Sequence, residues 1–116
     1  MKYLALIYAA PGSGPAPETP ELGALMGKYK AAEASFDAAG VKLAGEALQP
    51  VQTATCVRTR DGRTELTDGP FAETKEELGG FYMFECETLD EAIKYAKMIP
   101  SAEYGTIEVR PVMSFD

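Results

Sequence analysis

Residues 68–77 contain several acidic side chains and a single lysine, and these residue types could catalyse proton transfer or bind a ligand. A carboxyl group whose pKa is raised by burial can carry a proton, and an ammonium can bind an anionic or enolate oxygen. If the segment enters a cavity, Asp68 and Glu73 are candidate catalytic residues and Lys75 is a candidate ligand-binding residue. The alternative is a solvated loop with weak ion pairs, each worth about 0–1 kcal/mol.

A second charged pair lies near the end of the chain, where Glu108 and Arg110 are two residues apart and so share a face of a strand. If Ile107 and Val109 face the core, the charged pair faces the other side, where it needs partners. Arg58 and Tyr82 could reach the same side. The pair is either an ion pair at a dimer interface or a carboxylate-binding arginine beside a tyrosine donor. Glu46, in the second strand, is a further candidate cavity carboxylate.

Histidine is absent from the sequence, which removes the commonest general base near neutral pH and the commonest metal ligand. Cys56 and Cys86 lie in apolar, strand-like runs and are interpreted as small buried residues, so we expect no metal and no cofactor. A formal charge of −7 repels phosphate backbones and anionic lipids, so neither nucleic acid nor membrane is expected as a partner. The apolar N-terminal stretch is too short to span a bilayer, and we expect cytoplasmic localisation.

The elements that must position these residues follow from local signals, and 116 residues suit one domain over residues 1–116. Apolar and β-branched runs predict strands at residues 2–9, 43–48, 53–60, 81–86 and 106–112. The dipeptide at residues 61–62 predicts a tight hairpin turn that returns residues 63–67 along the preceding strand. Residues 68–80 are expected to form a polar loop.

Two helices are predicted between these strands. One begins at Thr19, with Pro20 in its first turn, and ends at Gly40. The other begins with a capping box at Thr88 and Glu91 and stops before residue 100. The order strand, helix, two or three strands, helix, strand, or βαββ(β)αβ, predicts an α+β ferredoxin-like sandwich with both helices on one face of an antiparallel sheet.

The second face of that sheet is also apolar. Phe81 and Met83 point to one face, whereas Tyr82 and Phe84 point to the other. Two helices can cover only one of these faces, and an exposed apolar face of several hundred Å² usually marks an interface. We therefore predict a two-fold homodimer in which sheet packs against sheet.

The run of residues 68–82 strongly resembles the signature of the DGPF-domain branch of the YCII-related family. Within this run, Gly69 and Pro70 form a tight turn, Asp68 can lock that turn, and Phe71 is interpreted as an anchor on the core or on a dimer partner. Residues 40–48 and 107–112 are also similar to that family. The resemblance implies a dimeric α/β barrel with a cavity between the joined sheets.

The resemblance also bears on function. DGPF-domain proteins have no established biochemical activity, and many are encoded beside extracytoplasmic-function sigma factors, which implies a sigma factor as a possible partner. Broader relatives carry a proposed His/Asp pair whose histidine lies in the first helix. That position falls near Tyr29 here, so the pair cannot be present in this chain.

Two functions are compatible with these observations. The first is a small ligand-binding or regulatory module that acts with a sigma factor. The second is a cofactor-independent isomerase or lyase that acts on a small organic acid through cavity carboxylates. A filled barrel would favour the first function, and an open pocket with a buried carboxylate would favour the second.

Overall fold

The computed structural model describes residues 1–115, which form an α+β fold with antiparallel sheets. The four-stranded sheet has the order β2-β5-β1-β6, and β3 and β4 pair as a separate two-stranded hairpin. Both helices pack on one face of the larger sheet, an arrangement compatible with the predicted ferredoxin-like sandwich. In chain order the elements are β1 (Lys2–Ala9), α1 (Pro20–Ala39), β2 (Lys42–Ala47), β3 (Thr55–Arg60), β4 (Arg63–Asp68), β5 (Glu77–Glu85), α2 (Leu89–Ala96) and β6 (Thr106–Pro111), with 3-10 helices at Val51–Thr53 and Pro100–Glu103.

The starts of both helices and the end of α1 are fixed by the residues that the sequence indicated, whereas α2 already ends at Ala96. The Thr19 hydroxyl accepts a hydrogen bond from the Leu22 amide at 3.3 Å, and Gly40 closes α1 with φ of +68°, a conformation that favours glycine. The Thr88 hydroxyl likewise accepts from the Glu91 amide at 3.2 Å at the start of α2. The Glu91 carboxylate reaches back to the amide of Glu87, one residue earlier than a standard capping box requires.

The loop predicted for residues 68–80 is shorter than expected, because β5 begins at Glu77. Gly79 and Gly80 read as strand breakers in the sequence, but they lie in the sheet beside β1 and β2. A Cβ atom on Gly80 would lie 2.7 Å from the carbonyl oxygen of Glu46, so the two strands can approach this closely only because residue 80 is glycine. Glycine therefore permits the strand here.

Aromatic rings form the core on the helix-covered face of the sheet. Phe36 of α1 is fully buried, and its ring centroid lies 4.9 Å from that of Phe84 and 5.2 Å from that of Tyr82. Such edge-on pairs contribute about 0.5–1.5 kcal/mol each beyond the area that they bury. The predicted alternation along β5 is confirmed, since Tyr82 and Phe84 are buried here while Phe81 and Met83 face the other side.

The other face of the sheet has no covering element among the described residues. Strand register places four half-buried apolar side chains on it, two from β1 and two from β5. Glu108 and Arg110 of β6 pair with the same β1 residues and flank this apolar group. We call this surface the open face, and its apolar members are Leu4, Leu6, Phe81 and Met83.

Candidate functional site

A cavity of about 550 Å³ lies on the helix-covered side of the sheet, between α1 and the strand ends near Gly79 and Gly80. Helix α1 supplies side chains at positions i, i+3, i+4 and i+7, which lie on one face of a helix. The volume falls within the range of about 300–1,000 Å³ that is usual for small-molecule sites. The wall residues that bear polar side chains are Tyr29, Lys30, Glu33, Tyr82, Ser101 and Tyr104, and the apolar wall includes Ile7, Ala9 and Met26. Glu46 and Phe81 also border the cavity, but strand register places their side chains on the open face.

Glu33 is the carboxylate that α1 presents to this cavity. Its Oε1 atom accepts a hydrogen bond of 2.9 Å from the Tyr82 hydroxyl, and its Oε2 atom lies 3.5 Å from the Nζ atom of Lys42. The Glu33 side chain is 44% exposed, so a second molecule can still reach the carboxylate. The carboxylate is thus held in place by a neutral donor and a cation while one side stays accessible.

Tyr82 is a neutral hydrogen-bond donor to Glu33, and its surroundings also suppress its ionisation. Burial of the ring, together with the hydrogen bond to the Glu33 carboxylate and its charge, raises the pKa of Tyr82 well above the ordinary tyrosine value. Gly45 of β2 leaves room for this ring, since a Cβ atom there would lie 2.5 Å from the Cδ1 atom of Tyr82. The bare backbone of β2 therefore lets the Tyr82 hydroxyl reach Glu33.

Three hydroxyl groups form a chain along another part of the wall. The Tyr29 hydroxyl lies 2.5 Å from the Ser101 hydroxyl, which in turn lies 3.1 Å from the hydroxyl of Tyr104. Burial is the main cause that raises the pKa of Tyr29, and the hydrogen bond to Ser101 opposes it in part. Ser101 is only 5% exposed, at the start of the segment that follows α2. We call these three groups the hydroxyl chain.

The predicted catalytic residues lie elsewhere on the molecule. Asp68 ends β4 opposite Thr55, and Glu73 and Lys75 lie in the loop that leads to β5. All three are exposed, and none of them lines the cavity. The structure of one chain therefore does not bring Asp68, Glu73 and Lys75 together in a pocket.

The chain bends at Gly69, whose φ of +94° explains the glycine, and the Gly69 amide donates to the carbonyl oxygen of Ala54 at 2.7 Å. The Cys56 thiol, half-buried in β3, donates to the carbonyl oxygen of Gly69 at 3.2 Å. Phe71, however, is 81% exposed, so it does not anchor the loop on the core of its own chain. The alternative, that Phe71 anchors the loop on a dimer partner, stays a prediction.

The predicted ligand-binding residues divide between three places. Glu108 and Arg110 contact each other on the open face at 3.6 Å, and both are exposed. Arg58 lies on the separate hairpin. Tyr82 is on the opposite face of the sheet from Arg110, so these two residues do not share a site within one chain. Among these candidates only Tyr82 presents its side chain to the cavity; Glu46 borders the cavity but pairs with Phe81 and so shares the open face.

Sequence reasoning missed Glu33, Ser101 and Tyr104 as site residues. The available signal was the spacing of Tyr29 and Glu33, one helical turn apart on the same face as the buried Phe36. A carboxylate so close to a core stripe indicates a partner on the facing sheet, and that partner is Tyr82. Tyr29 was identified only as the position where related proteins carry a histidine.

Within residues 1–115, no group of three or more cysteine, aspartate or glutamate side chains is arranged to hold a metal ion. Over the same residues, neither helix combines the length and the apolar character that crossing a membrane requires.

Comparisons with known proteins give a family for this chain and a likeness of fold. The model of the YCII-related domain matches residues 1–116. An uncharacterised protein of Rhizobium meliloti (strain 1021) is 46% identical over 67 residues, which are 56% of this chain and 54% of that protein, so the match spans about half of the relative's length. Among solved structures, 5-chloro-2-hydroxyhydroquinone dehydrochlorinase of Burkholderia phenoliruptrix AC1100, in complex with 2,5-dihydroxybenzoquinone, superposes with a TM-score of 0.54. It covers 97% of this chain and 94% of its own at 17% identity, which is a likeness of fold.

Proposed function

We propose a function for this chain, which belongs to the YCII-related family: the cavity beside α1 binds a small hydroxylated or acidic organic molecule, and Glu33 moves a proton on it without a cofactor. The single observation that carries the proposal is the Glu33 carboxylate, held by Tyr82 at 2.9 Å on the wall of an open cavity. An open pocket with a partly buried carboxylate is the feature expected of an isomerase or lyase.

The contacts of Glu33 define which atom would act as the base. The Oε1 atom accepts the hydrogen bond of the neutral Tyr82 hydroxyl. The Oε2 atom lies 3.5 Å from the Nζ atom of Lys42, and we take Oε2 as the proton acceptor in the proposal. In the proposed step a C–H or O–H bond of the ligand breaks, its proton passes to Glu33, and the electron pair moves to an oxygen of the ligand. The proton then returns to a second ligand atom, so the overall change is an isomerisation.

The size and lining of the cavity support a small ligand with an apolar body. A volume of about 550 Å³ holds a single substituted ring, and Ile7, Ala9 and Met26 can contact its carbon atoms. The similar solved structure is described as an enzyme in complex with a dihydroxybenzoquinone, and we extend that ligand class to this chain as part of the proposal. The 2,5-dihydroxybenzoquinone molecule is thus a reasonable first probe.

The test has three parts. Binding of 2,5-dihydroxybenzoquinone is measured first, and small hydroxylated rings and keto acids are then screened for turnover. Exchange of ligand protons with solvent deuterium is followed last. We expect Glu33→Gln to lower the exchange rate by about 10²–10⁴-fold, the range that a general base contributes. The matched control is Glu65→Gln on the exposed hairpin, which should keep the rate of the parent protein. Exchange that survives Glu33→Gln but fails in a variant with Asp68→Asn and Glu73→Gln would place the chemistry at the loop instead.

A second candidate function is favoured by exposed apolar side chains on the hairpin and the loop. Val57 and Leu66 pair across the hairpin and are 64% and 69% exposed, and Phe71 is 81% exposed. We propose that the chain is of the DGPF branch and that these three side chains contact a protein partner, with a cytoplasmic sigma factor as the partner that the branch implies. Loss of co-purification with that factor in Phe71→Ala would support this function, and unchanged co-purification would contradict it.

Dimerisation through the open face is also proposed, because the same apolar surface on a second copy is self-complementary. Four strands about 4.8 Å apart and about 20 Å long present roughly 400 Å² of projected area, about half of the roughly 800 Å² per partner that a standard interface buries.

A further inference from the structure

The hydroxyl chain carries one hydrogen atom more than the hydrogen bonds between its own members require. Three hydroxyl groups carry three hydrogen atoms, but the contacts Tyr29 to Ser101 and Ser101 to Tyr104 use only two of them. If Ser101 accepts from one tyrosine and donates to the other, the spare hydrogen belongs to the accepting tyrosine. If both tyrosines donate to Ser101, the spare hydrogen stays on a serine that is only 5% exposed. The first arrangement costs less, because it leaves no unpaired donor at a buried position.

Both tyrosines line the cavity, so the spare hydrogen is available to a ligand from either end of the chain. Tyr29 is protonated near neutral pH, as an ordinary tyrosine is, and it can therefore act as a donor. It lies one helical turn before Glu33, and side chains in that relation have Cβ atoms about 5–6 Å apart. A single small ring could therefore contact a donor at Tyr29 and the acceptor at Glu33 at the same time.

We infer that the ligand of this cavity carries a carbonyl or phenolate oxygen that accepts a hydrogen bond from the hydroxyl chain, opposite the hydroxyl or acidic hydrogen that faces Glu33. This inference rests on the proposed function, since it names the substrate class of the same site. It also supplies what the proton transfer needs: the electron pair released when Glu33 takes a proton moves to an oxygen, and a neutral hydroxyl donor stabilises the charge that develops there.

The experiment compares 4-hydroxybenzaldehyde with 4-methylphenol at a mildly acidic pH at which both phenols stay protonated, so that the two probes differ in one carbonyl group. Dissociation constants are measured by calorimetry for the parent protein and for the double variant Tyr29→Phe with Tyr104→Phe. We expect the parent protein to bind the aldehyde about threefold to tenfold more tightly, the value of one hydrogen bond to a neutral group. The double variant should lose this preference while its affinity for 4-methylphenol stays close to that of the parent protein. A purely structural role of the tyrosines would instead weaken both probes equally.

Tyr95→Phe is the matched control, because it removes a tyrosine hydroxyl from a buried ring that does not line the cavity. It should keep the preference for the aldehyde. An unchanged preference in the double variant overturns the inference and leaves the proposed function standing. Absence of binding of either probe to the parent protein also overturns the inference, and the Glu33→Gln exchange rate then decides on the proposed function separately.

A second measurement covers the case in which the double variant does not fold. The carbonyl stretching frequency of 4-hydroxybenzaldehyde is recorded by infrared spectroscopy when the probe is bound to the parent protein and when it is dissolved in an apolar solvent. A hydrogen bond from the hydroxyl chain lowers the frequency of the bound probe. An equal frequency in the two environments overturns the inference.

Discussion

Glu33 combines two properties that a proton-transferring carboxylate needs, a fixed position and access to a ligand. The Tyr82 hydroxyl fixes one carboxylate oxygen, and the ammonium of Lys42 lies near the other and also within 4.0 Å of Asp37. Lys42 is only 25% exposed, so its charge is less screened than that of a surface lysine. The site therefore contains a compact group of charges at the point where β2 begins.

Tyr82 predicts how stability depends on pH. Its pKa is raised in the folded chain, so between the ordinary value of 10.0 and that raised value the folded state keeps a proton that the unfolded state releases. Stability is therefore fully present below pH 10 and falls as the pH rises above it, by about 1.4 kcal/mol per pH unit for each such tyrosine. Tyr29 contributes in the same direction.

The variant Tyr82→Phe isolates this effect. At neutral pH it should lose about 1 kcal/mol of unfolding free energy with the hydrogen bond to Glu33. Above pH 10 its stability should fall less steeply than that of the parent protein, so that the difference between the two shrinks. Denaturant titrations at several pH values between about 8 and 11 measure both curves. Parallel curves would contradict the assigned role of Tyr82.

The hairpin of β3 and β4 buries almost none of its side chains. Its residues are exposed apart from Cys56, and none of them belongs to the core cluster. A two-stranded hairpin without a packed face is marginally stable in water. Helix α1, by contrast, carries both Phe36 of the core and Glu33 of the cavity, so core packing positions the candidate site.

Hydrogen exchange tests this difference between elements. In dilute protein, the amides of β3 and β4 should exchange much faster than those of β1 and β5, because local opening of the hairpin exposes no core. The measurement is exchange followed by residue-resolved NMR at low concentration. Protection of the hairpin equal to that of β5 would mean that a second molecule covers it, and the free hairpin described here would then not exist in solution.

At the scale of the whole molecule, the open face is an apolar surface that no element among the described residues covers. Its four apolar side chains are only half-buried, and the charged pair of Glu108 and Arg110 borders them. A second copy would cover this surface, but each copy carries a formal charge of −7. Repulsion between copies is screened within about 8 Å at physiological ionic strength, so added salt should strengthen a dimer that apolar contacts hold together.

The dimer is tested by Leu4→Glu, which places a charge in the centre of the open face. We expect the parent protein to sediment as a dimer at micromolar concentration, more completely as salt is raised, and the variant to sediment as a monomer. Leu89→Glu is the matched control, because Leu89 is 47% exposed at the start of α2 on the helix side. A parent protein that sediments as a monomer, or a Leu4→Glu variant that remains a dimer, would contradict the proposed interface.

Local signals in the sequence determined most of the secondary structure. The hydroxyl of Thr19, the positive φ of Gly40 and the turn at Asp61 and Gly62 each act through neighbouring residues, and each is present in the structure. The alternation along β5 likewise assigned Tyr82 to the helix side and Phe81 to the open face. The error at Gly79 and Gly80 arose because the reason for glycine there is a neighbouring strand, which a local pattern does not contain.

The tertiary structure decided which side chains meet in the candidate site. Tyr82 is 49 residues from Glu33, and Ser101 is 72 residues from Tyr29, so no spacing along the chain relates the members of either pair. The charges of residues 68–77 made Asp68, Glu73 and Lys75 candidate site residues in the sequence, but all three side chains are exposed in the structure. Which polar groups meet in a cavity depends on how α1 packs on the sheet, and that packing is fixed by the aromatic core.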